Sequence, residues 1–461
     1  MSDFQNTYKQ KLTTPTDLVA QFKAGQVIQL GSWSGEPYGV INAINDAQES
    51  LADVNIVCAI ATAPSPYMER ADIPVWTAFY GAQERPAQNA RGHMFYSPMN
   101  FTDGVCMQDH GRPVDYYVYR VGPMNERGYF NCSMTAGSEA RVIPWLKKNR
   151  PHTKIVFEVN EKLPYVQGIK EFGNNEMSIE LADIIVEDDA PPLEFPVPAP
   201  NEVELAIAKN VANLVEDKDT VQLGFGTIPM AIGGLLAEKN ELGIHTEMLC
   251  EAHIDLLTSG AATNAHKGLY DGLSVATFAL GTKKLHEWIE NNPGVAILPV
   301  EETNRVDVHA RIKNLASINS VLSVDMTGQT MAHCIGPKTY SGLGGAFEFA
   351  YGASLSPGGK SMVCLPSTTT LKDGTVISNI VSQFPKGTRI TTPEHVTDWV
   401  ITEYGAVQLK ALSIDERAQA LLRITHPDFR EPIEKEMHDA GANFEKATSV
   451  NVQPPDFFRS L

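Results

Sequence analysis

Val211-Ala-Asn-Leu-Val-Glu-Asp-Lys-Asp-Thr220-Val-Gln-Leu-Gly-Phe-Gly-Thr-Ile-Pro229 reads as the end of a helix, a buried strand closing on Gly224-x-Gly226, and the start of a second helix that runs through Leu236. Glycine at a strand end lets a ligand approach the backbone closely. A proline near the first helical turn fits a helix start whose free N–H groups attract phosphate or carbonyl oxygen. A tight turn is the plainer reading of Gly-x-Gly. The complete dinucleotide fingerprint is missing, because Pro229 stands where a third glycine would be needed.

The same join occurs earlier in the chain. Val19-Ala20 leads to Ile28-Gln29-Leu30-Gly31 with Pro37 beyond, as Val211-Ala212 leads to Val221-Gln222-Leu223-Gly224 with Pro229 beyond, the spacing differing by one residue. Two copies of one α/β unit would give this echo; so would two unrelated amphipathic joins. Between them, Ala190-Pro-Pro-Leu-Glu-Phe-Pro-Val-Pro-Ala-Pro200 removes backbone donors repeatedly and fixes an extended path that neither helix nor central strand tolerates. The expected organisation is therefore residues 1–190, a linker at 191–200, and residues 201–461. Short apolar runs alternate with helical patterns on both sides: Val27–Leu30, Ile56–Ala59, Tyr116–Val121 and Ile155–Val159, then Val221–Gly224, Val295–Val300, Val321–Val324 and Met362–Leu365. That alternation predicts an α/β fold with largely parallel, buried strands.

Composition narrows the function classes. The chain has 461 residues, enough for two domains with substantial cores, and 55 acidic against 37 basic residues give a net charge of -18. Such a balance argues against broad nucleic-acid binding and against attraction to anionic membranes, so an anionic ligand needs a local site. The opening MSDFQNTYKQKLTTP has no apolar signal core, and no later stretch reaches a membrane-spanning length, so a cytoplasmic protein is expected. Six scattered cysteines without a CxxC pair and twelve histidines without HExxH signal neither a disulfide framework nor a metal site.

Two further segments carry chemistry. In Leu242-Gly-Ile-His-Thr-Glu-Met248 a carboxylate, Glu247, sits among apolar and small residues, where a solvated surface glutamate is the plainer alternative. In Tyr340-Ser-Gly-Leu-Gly-Gly345-Ala-Phe-Glu-Phe349 three glycines leave backbone N–H groups exposed, as an oxyanion site requires. Ser354-Leu-Ser-Pro-Gly-Gly-Lys360 offers a lysine that could meet a phosphate. Either glycine-rich stretch could also be an ordinary loop.

Along nearly its whole length the chain resembles the acetyl-CoA hydrolase/transferase family, which includes butyrate:acetyl-CoA and 4-hydroxybutyrate CoA-transferases. The blocks that carry the resemblance are Gly35-Glu-Pro37, Pro113-Val-Asp115 with Glu126-Arg-Gly-Tyr129, Gly224-Phe-Gly-Thr-Ile-Pro229, Leu242–Met248, Ser317-Ile-Asn319, Ser341–Gly345, Gly358-Gly-Lys-Ser361, Thr402-Glu-Tyr-Gly405 and His426-Pro-Asp-Phe-Arg430. The resemblance implies two similar open α/β domains with the active site between them. It implies Glu247 as the covalent residue, Gly345 beside it, and Asn304 as a group that polarises the thioester carbonyl. Gly224, Phe225, Gly226, Thr227 and Ile228, with Gly345 and Lys360, would contact coenzyme A, which is substrate; no tightly bound cofactor and no metal are expected. The expected activity is CoA transfer between acyl-CoA and a small carboxylate by a homo-oligomer that binds neither nucleic acid nor membrane. Acetyl-CoA hydrolysis and silent CoA binding are the alternatives.

The chain also departs from the family pattern. Ala346 stands where the family usually has glutamine, Asn379 replaces a usual arginine, and the block at Thr392-Pro-Glu-His395 lacks another. The acid pocket should therefore differ from that of the butyrate and 4-hydroxybutyrate enzymes. The itaconate CoA-transferase branch becomes a candidate, with Arg305 considered as the partner of a second carboxylate.

Overall fold

The computed structural model describes residues 3–47, 51–91 and 94–441. Two sheets organise it. The first runs, edge to edge, Phe95–Tyr96, Val75–Thr77, Asn55–Cys58, Val27–Leu30, Tyr116–Val121, Lys154–Val159 and Ile184–Glu187, with every neighbouring pair parallel. The second runs Gly243–Ile244, Thr220–Leu223, Leu315–Ser320, Lys360–Cys364, Trp399–Thr402 and Gly405–Gln408, parallel throughout except for its last, hairpin-joined edge pair. Helices cover the faces of both sheets, which is why their central strands are apolar on both sides: Val27–Leu30 and Thr220–Leu223 are buried at every residue.

The echoed joins take equivalent places. Val27–Leu30 pairs with the next strand of its sheet on one side and with Tyr116–Val121 on the other. Thr220–Leu223 likewise pairs with Gly243–Ile244 on one side and Leu315–Ser320 on the other. Gln29 and Gln222, matched in the echo, both line the cavity between the sheets. The proline-rich residues 191–200 form no regular element and lie along the second unit, where Phe195 N–H donates to Gly281 O at 2.9 Å and Lys283 N–H to Glu194 Oε2 at 2.9 Å.

One strand differs from the sequence expectation. The main-sheet strand is Leu315–Ser320, whereas Val321–Val324 contributes only to a small sheet in which Ser323–Asp325 pairs with Thr330–Met331 and Ile380–Val381. Polar positions disguised the strand. Ser317 Oγ donates to Gln222 Oε1 at 3.0 Å and Asn319 Nδ2 to the same oxygen at 3.0 Å, so the side chains satisfy one another inside the fold. Val295–Ile297 also lies outside the main sheets, paired with Ser274–Ala276, and gives way to the helix Val300–Asn304.

Candidate active site

The carboxyl end of Thr220–Leu223 delivers Gly224 and Phe225 to the inter-sheet cavity, and the segment that follows Gly243–Ile244 delivers Glu247 to the same space. Each neighbour in His245-Thr-Glu-Met248 has a separate task. His245 is fully buried, and its Nε2 lies 2.9 Å from Thr303 O, bracing the helix that carries Asn304. Burial first, then the positive charge of Lys267, hold that imidazole well below its usual pKa, so it is neutral. Thr246 Oγ1 donates to Leu223 O at 3.2 Å, tying the glutamate to the strand that ends in Gly224. Only Glu247 and Met248 reach the cavity wall.

Asn304 is fully buried and donates from Nδ2 to Glu247 Oε2 at 2.6 Å. Thr303 Oγ1 in turn donates to Asn304 Oδ1 at 3.0 Å, which fixes the amide with its NH2 toward the glutamate. Gly345 precedes the helix Ala346–Leu355, and any side chain there would displace the groups around Glu247. A Cβ on it would stand 2.0 Å from Glu247 Oε2 and 2.2 Å from Asn304 Nδ2. Burial pushes the Glu247 carboxyl up to about 7, opposed by the Asn304 amide and the Gly345 backbone N–H, which favour the anion. The site therefore holds a poorly solvated carboxylate between two oriented donors, an arrangement that can attack a carbonyl carbon without a general base.

Several side chains that the sequence did not single out complete the site. Trp33 comes from the first unit with φ 54°, an uncommon conformation for a bulky residue, and stacks on Phe278 of the second at 4.3 Å and 11°. Phe101 meets Phe278 edge-on at 6.1 Å. Glu348, one turn into the helix after Gly345, is 4% exposed and accepts from Thr102 Oγ1 of the first unit, while its Oε2 has no hydrogen-bond partner among the described residues. Burial, and then the charge of Glu247, push Glu348 up to about 8, against the Thr102 hydroxyl, so it is protonated at neutral pH. The signal for these residues is three-dimensional: Thr102 and Glu348 are 246 positions apart.

Other expected residues fall differently. Gly226, with φ 128°, and Thr227 and Ile228 form the start of the helix Thr227–Leu236, and the Thr227 hydroxyl is already engaged by Glu204. Lys360 stands at the opposite end of its strand and does not line the cavity. Its Nζ donates to Asp219 Oδ2 at 2.9 Å and to Leu214 O at 3.1 Å, because Asp219 is a buried carboxylate that needs a partner. Arg305 is likewise outside the cavity, paired with Asp307 at 2.8 Å. Asn379 binds Pro366 O at 2.8 Å and Thr369 Oγ1 at 3.0 Å, a structural role away from the cavity wall, which Ala346 does line.

Among the described residues no three His, Cys, Asp or Glu side chains converge as metal ligands, and no helix is long and apolar enough to cross a membrane. The cavity has a volume of about 630 Å³.

Residues 1–198 match the N-terminal domain of acetyl-CoA hydrolase/transferase, and residues 281–437 match the C-terminal domain. A 4-hydroxybutyrate coenzyme A transferase of Clostridium kluyveri is 33% identical over 439 residues, 94% of this chain and 99% of the relative. Succinyl-CoA:cyclohexane-1-carboxylate CoA transferase of Geobacter metallireducens is 34% identical over 429 residues, 93% of this chain and 95% of the relative. The crystal structure of RipA from Yersinia pestis superposes with a TM-score of 0.85 at 31% identity, covering 95% of this chain and 99% of that one.

Proposed function

Since this chain belongs to the acetyl-CoA hydrolase/transferase family and is a CoA-transferase, we propose that Glu247 carries CoA between an acyl-CoA donor and a carboxylate acceptor. The supporting observation is the carboxylate itself, poised at the cavity between Asn304 and the Gly345 backbone.

The chemistry balances without an external proton or cofactor. A Glu247 oxygen attacks the thioester carbonyl carbon, the C–S bond breaks, and CoA leaves as thiolate from an acyl-glutamyl anhydride. The thiolate then attacks the Glu247 carbonyl carbon, the anhydride C–O bond breaks, and the first acid departs as carboxylate. A glutamyl-CoA thioester remains, and a second carboxylate reverses both steps to take the CoA away. Charge develops on the carbonyl oxygen in each addition, where one oriented donor contributes about 3–4 kcal/mol. Asn304 and the Gly345 N–H are the donors in reach of that oxygen, and for the attacking steps they must let go of Glu247.

The CoA thiol arm passes Gly224 and Phe225, which line the same cavity as Glu247, and the open start of the helix Thr227–Leu236 lies just beyond. Lys360 has no part in holding phosphate in this reading. Initial rates with acetyl-CoA and acceptor acids test it, with hydrolysis followed in parallel. Parallel double-reciprocal lines are expected, because CoA rests on the protein between half-reactions; intersecting lines, or release of free CoA at the same rate without acceptor, count against transfer.

A further inference from the structure

Among the described residues that line the cavity, Arg112 is the one with a cationic side chain. It follows the helix Gly104–His110, and its guanidinium carbon lies 3.9 Å from the centre of the Trp76 ring, which is itself stacked on Phe95 at 4.6 Å. Arg112 makes no hydrogen bond or ion pair with any described residue. Its counterparts are occupied: Arg120 by Glu158 and Asp188, Arg127 by Glu176, Arg141 by Glu302. Arg112 is exposed, so in a chain with 55 acidic residues its donors face solvent at the cavity wall while the guanidinium rests over the indole, and they are suited to a planar anion brought in from outside.

The distance from Glu247 selects the kind of anion. Phe79 belongs to the nucleophile's end: a Cβ on Gly344 would lie 3.6 Å from the Phe79 ring and 3.9 Å from Glu247 Oε1. Trp76 is three residues back, across the end of the strand Val75–Thr77 and the bend at Ala78, and so at most about 10 Å away. The helix Gly104–His110 gives a second measure, since its seven residues span about 10 Å from the neighbourhood of Phe101 to that of Arg112. Trp76, Phe79, Phe101 and Met107 give this path apolar stretches of wall, interrupted by Asn100 and Gln108. Acetate or butyrate would fill only the end nearest Glu247.

We propose that Arg112 receives the distal carboxylate of an acid whose other carboxylate exchanges CoA, so that the substrates are ω-carboxy acids with an apolar body long enough to bridge about 10 Å. This deepens the transferase reading and rests on it.

The test uses the full chain with acetyl-CoA as donor and acceptors matched in length, hexanoate against adipate and octanoate against suberate, for wild type and Arg112→Ala and Arg112→Lys. Wild type should prefer the dicarboxylate of each pair. The suberate-to-octanoate ratio of kcat/KM should fall about 10- to 100-fold in Arg112→Ala, as loss of a charged hydrogen-bonded partner implies, and less in Arg112→Lys. Quenching of tryptophan fluorescence by suberate, in a Glu247→Ala background with and without Arg112→Ala, reads binding without turnover. It should saturate at lower suberate when Arg112 is present, whatever becomes of the transfer reaction. An unchanged ratio and equal quenching would overturn the proposal. A rise in KM for acetyl-CoA of the same size with every acid would overturn it too, assigning Arg112 to a CoA phosphate. Absence of any transfer in wild type, with Arg112-dependent quenching intact, would remove the transferase reading alone.

Discussion

Gly345→Ala is the smallest change that separates a catalytic backbone from a merely flexible one. The glycine has φ -94° and ψ 4°, a conformation that alanine adopts readily, so the substitution introduces no backbone strain. The added methyl would nevertheless stand 2.0 Å from Glu247 Oε2 and 2.2 Å from Asn304 Nδ2, well inside van der Waals contact. Either the carboxylate or the amide must move, and the 2.6 Å hydrogen bond between them is lost. Disturbing one oriented donor at a developing oxyanion lowers kcat by about 10²- to 10³-fold. Steady-state kinetics with acetyl-CoA and an acceptor acid give kcat and KM, and thermal unfolding separates misfolding from lost catalysis. The expected result is a kcat loss in that range with a Tm close to that of wild type. A variant with near-normal kcat would refute the placement of Gly345 at the reacting centre. So would one whose kinetic defect disappears when its unfolding is taken into account.

The pH profile follows from the same geometry. Glu247 attacks as the anion and its pKa is pushed up to about 7, so kcat/KM should rise as pH climbs through about 7 and then level; Asn304→Ala removes a donor that favours the anion, so its rising limb should move to higher pH, and a flat profile would contradict the assignment. Glu348 is raised from 4.5 to about 8 in the fold, so the folded state binds its proton more tightly than the unfolded chain does. Its stabilisation is full below about 4.5 and is lost as pH rises through 8, so Glu348→Gln should show a smaller drop in Tm between pH 5.5 and 9 than wild type. Lys360→Ala should lose about 2 kcal/mol of unfolding free energy in denaturant titrations by leaving Asp219 unpaired, with KM for acetyl-CoA unchanged; a raised KM would restore Lys360 as a phosphate contact. Ala346→Gln narrows the cavity wall, so the kcat/KM ratio of suberate over acetate should fall, and an unchanged ratio would show that this position does not set specificity.

Where burial is periodic and local, the sequence disclosed the fold. Val27–Leu30, Tyr116–Val121 and the strand ending at Leu223 are short apolar runs because helices cover both faces, and their boundaries follow from that pattern. Leu315–Ser320 escaped the same reasoning because Ser317 and Asn319 are satisfied by Gln222 from a neighbouring strand, a pairing that periodicity does not register. The site divides along similar lines. Gly345 and Asn304, far from Glu247 in the chain, meet it in the fold, while His245 and Thr246 beside it are explained by the backbone oxygens they bond. Lys360 looked free only because its partner, Asp219, lies 141 residues away. Arg112, Trp33 and Thr102 gave no local signal, since their meaning comes from long-range neighbours: Trp76 beneath Arg112, Phe278 against Trp33, and Glu348 beside Thr102.

The claim that Glu247 carries CoA is tested most directly by mass spectrometry of the protein after incubation with acetyl-CoA and no acceptor acid. A CoA-sized adduct is expected on the peptide that contains Glu247, discharged on adding an acceptor carboxylate and absent from Glu247→Ala. An adduct on another residue, or undiminished turnover by Glu247→Ala, would contradict the account.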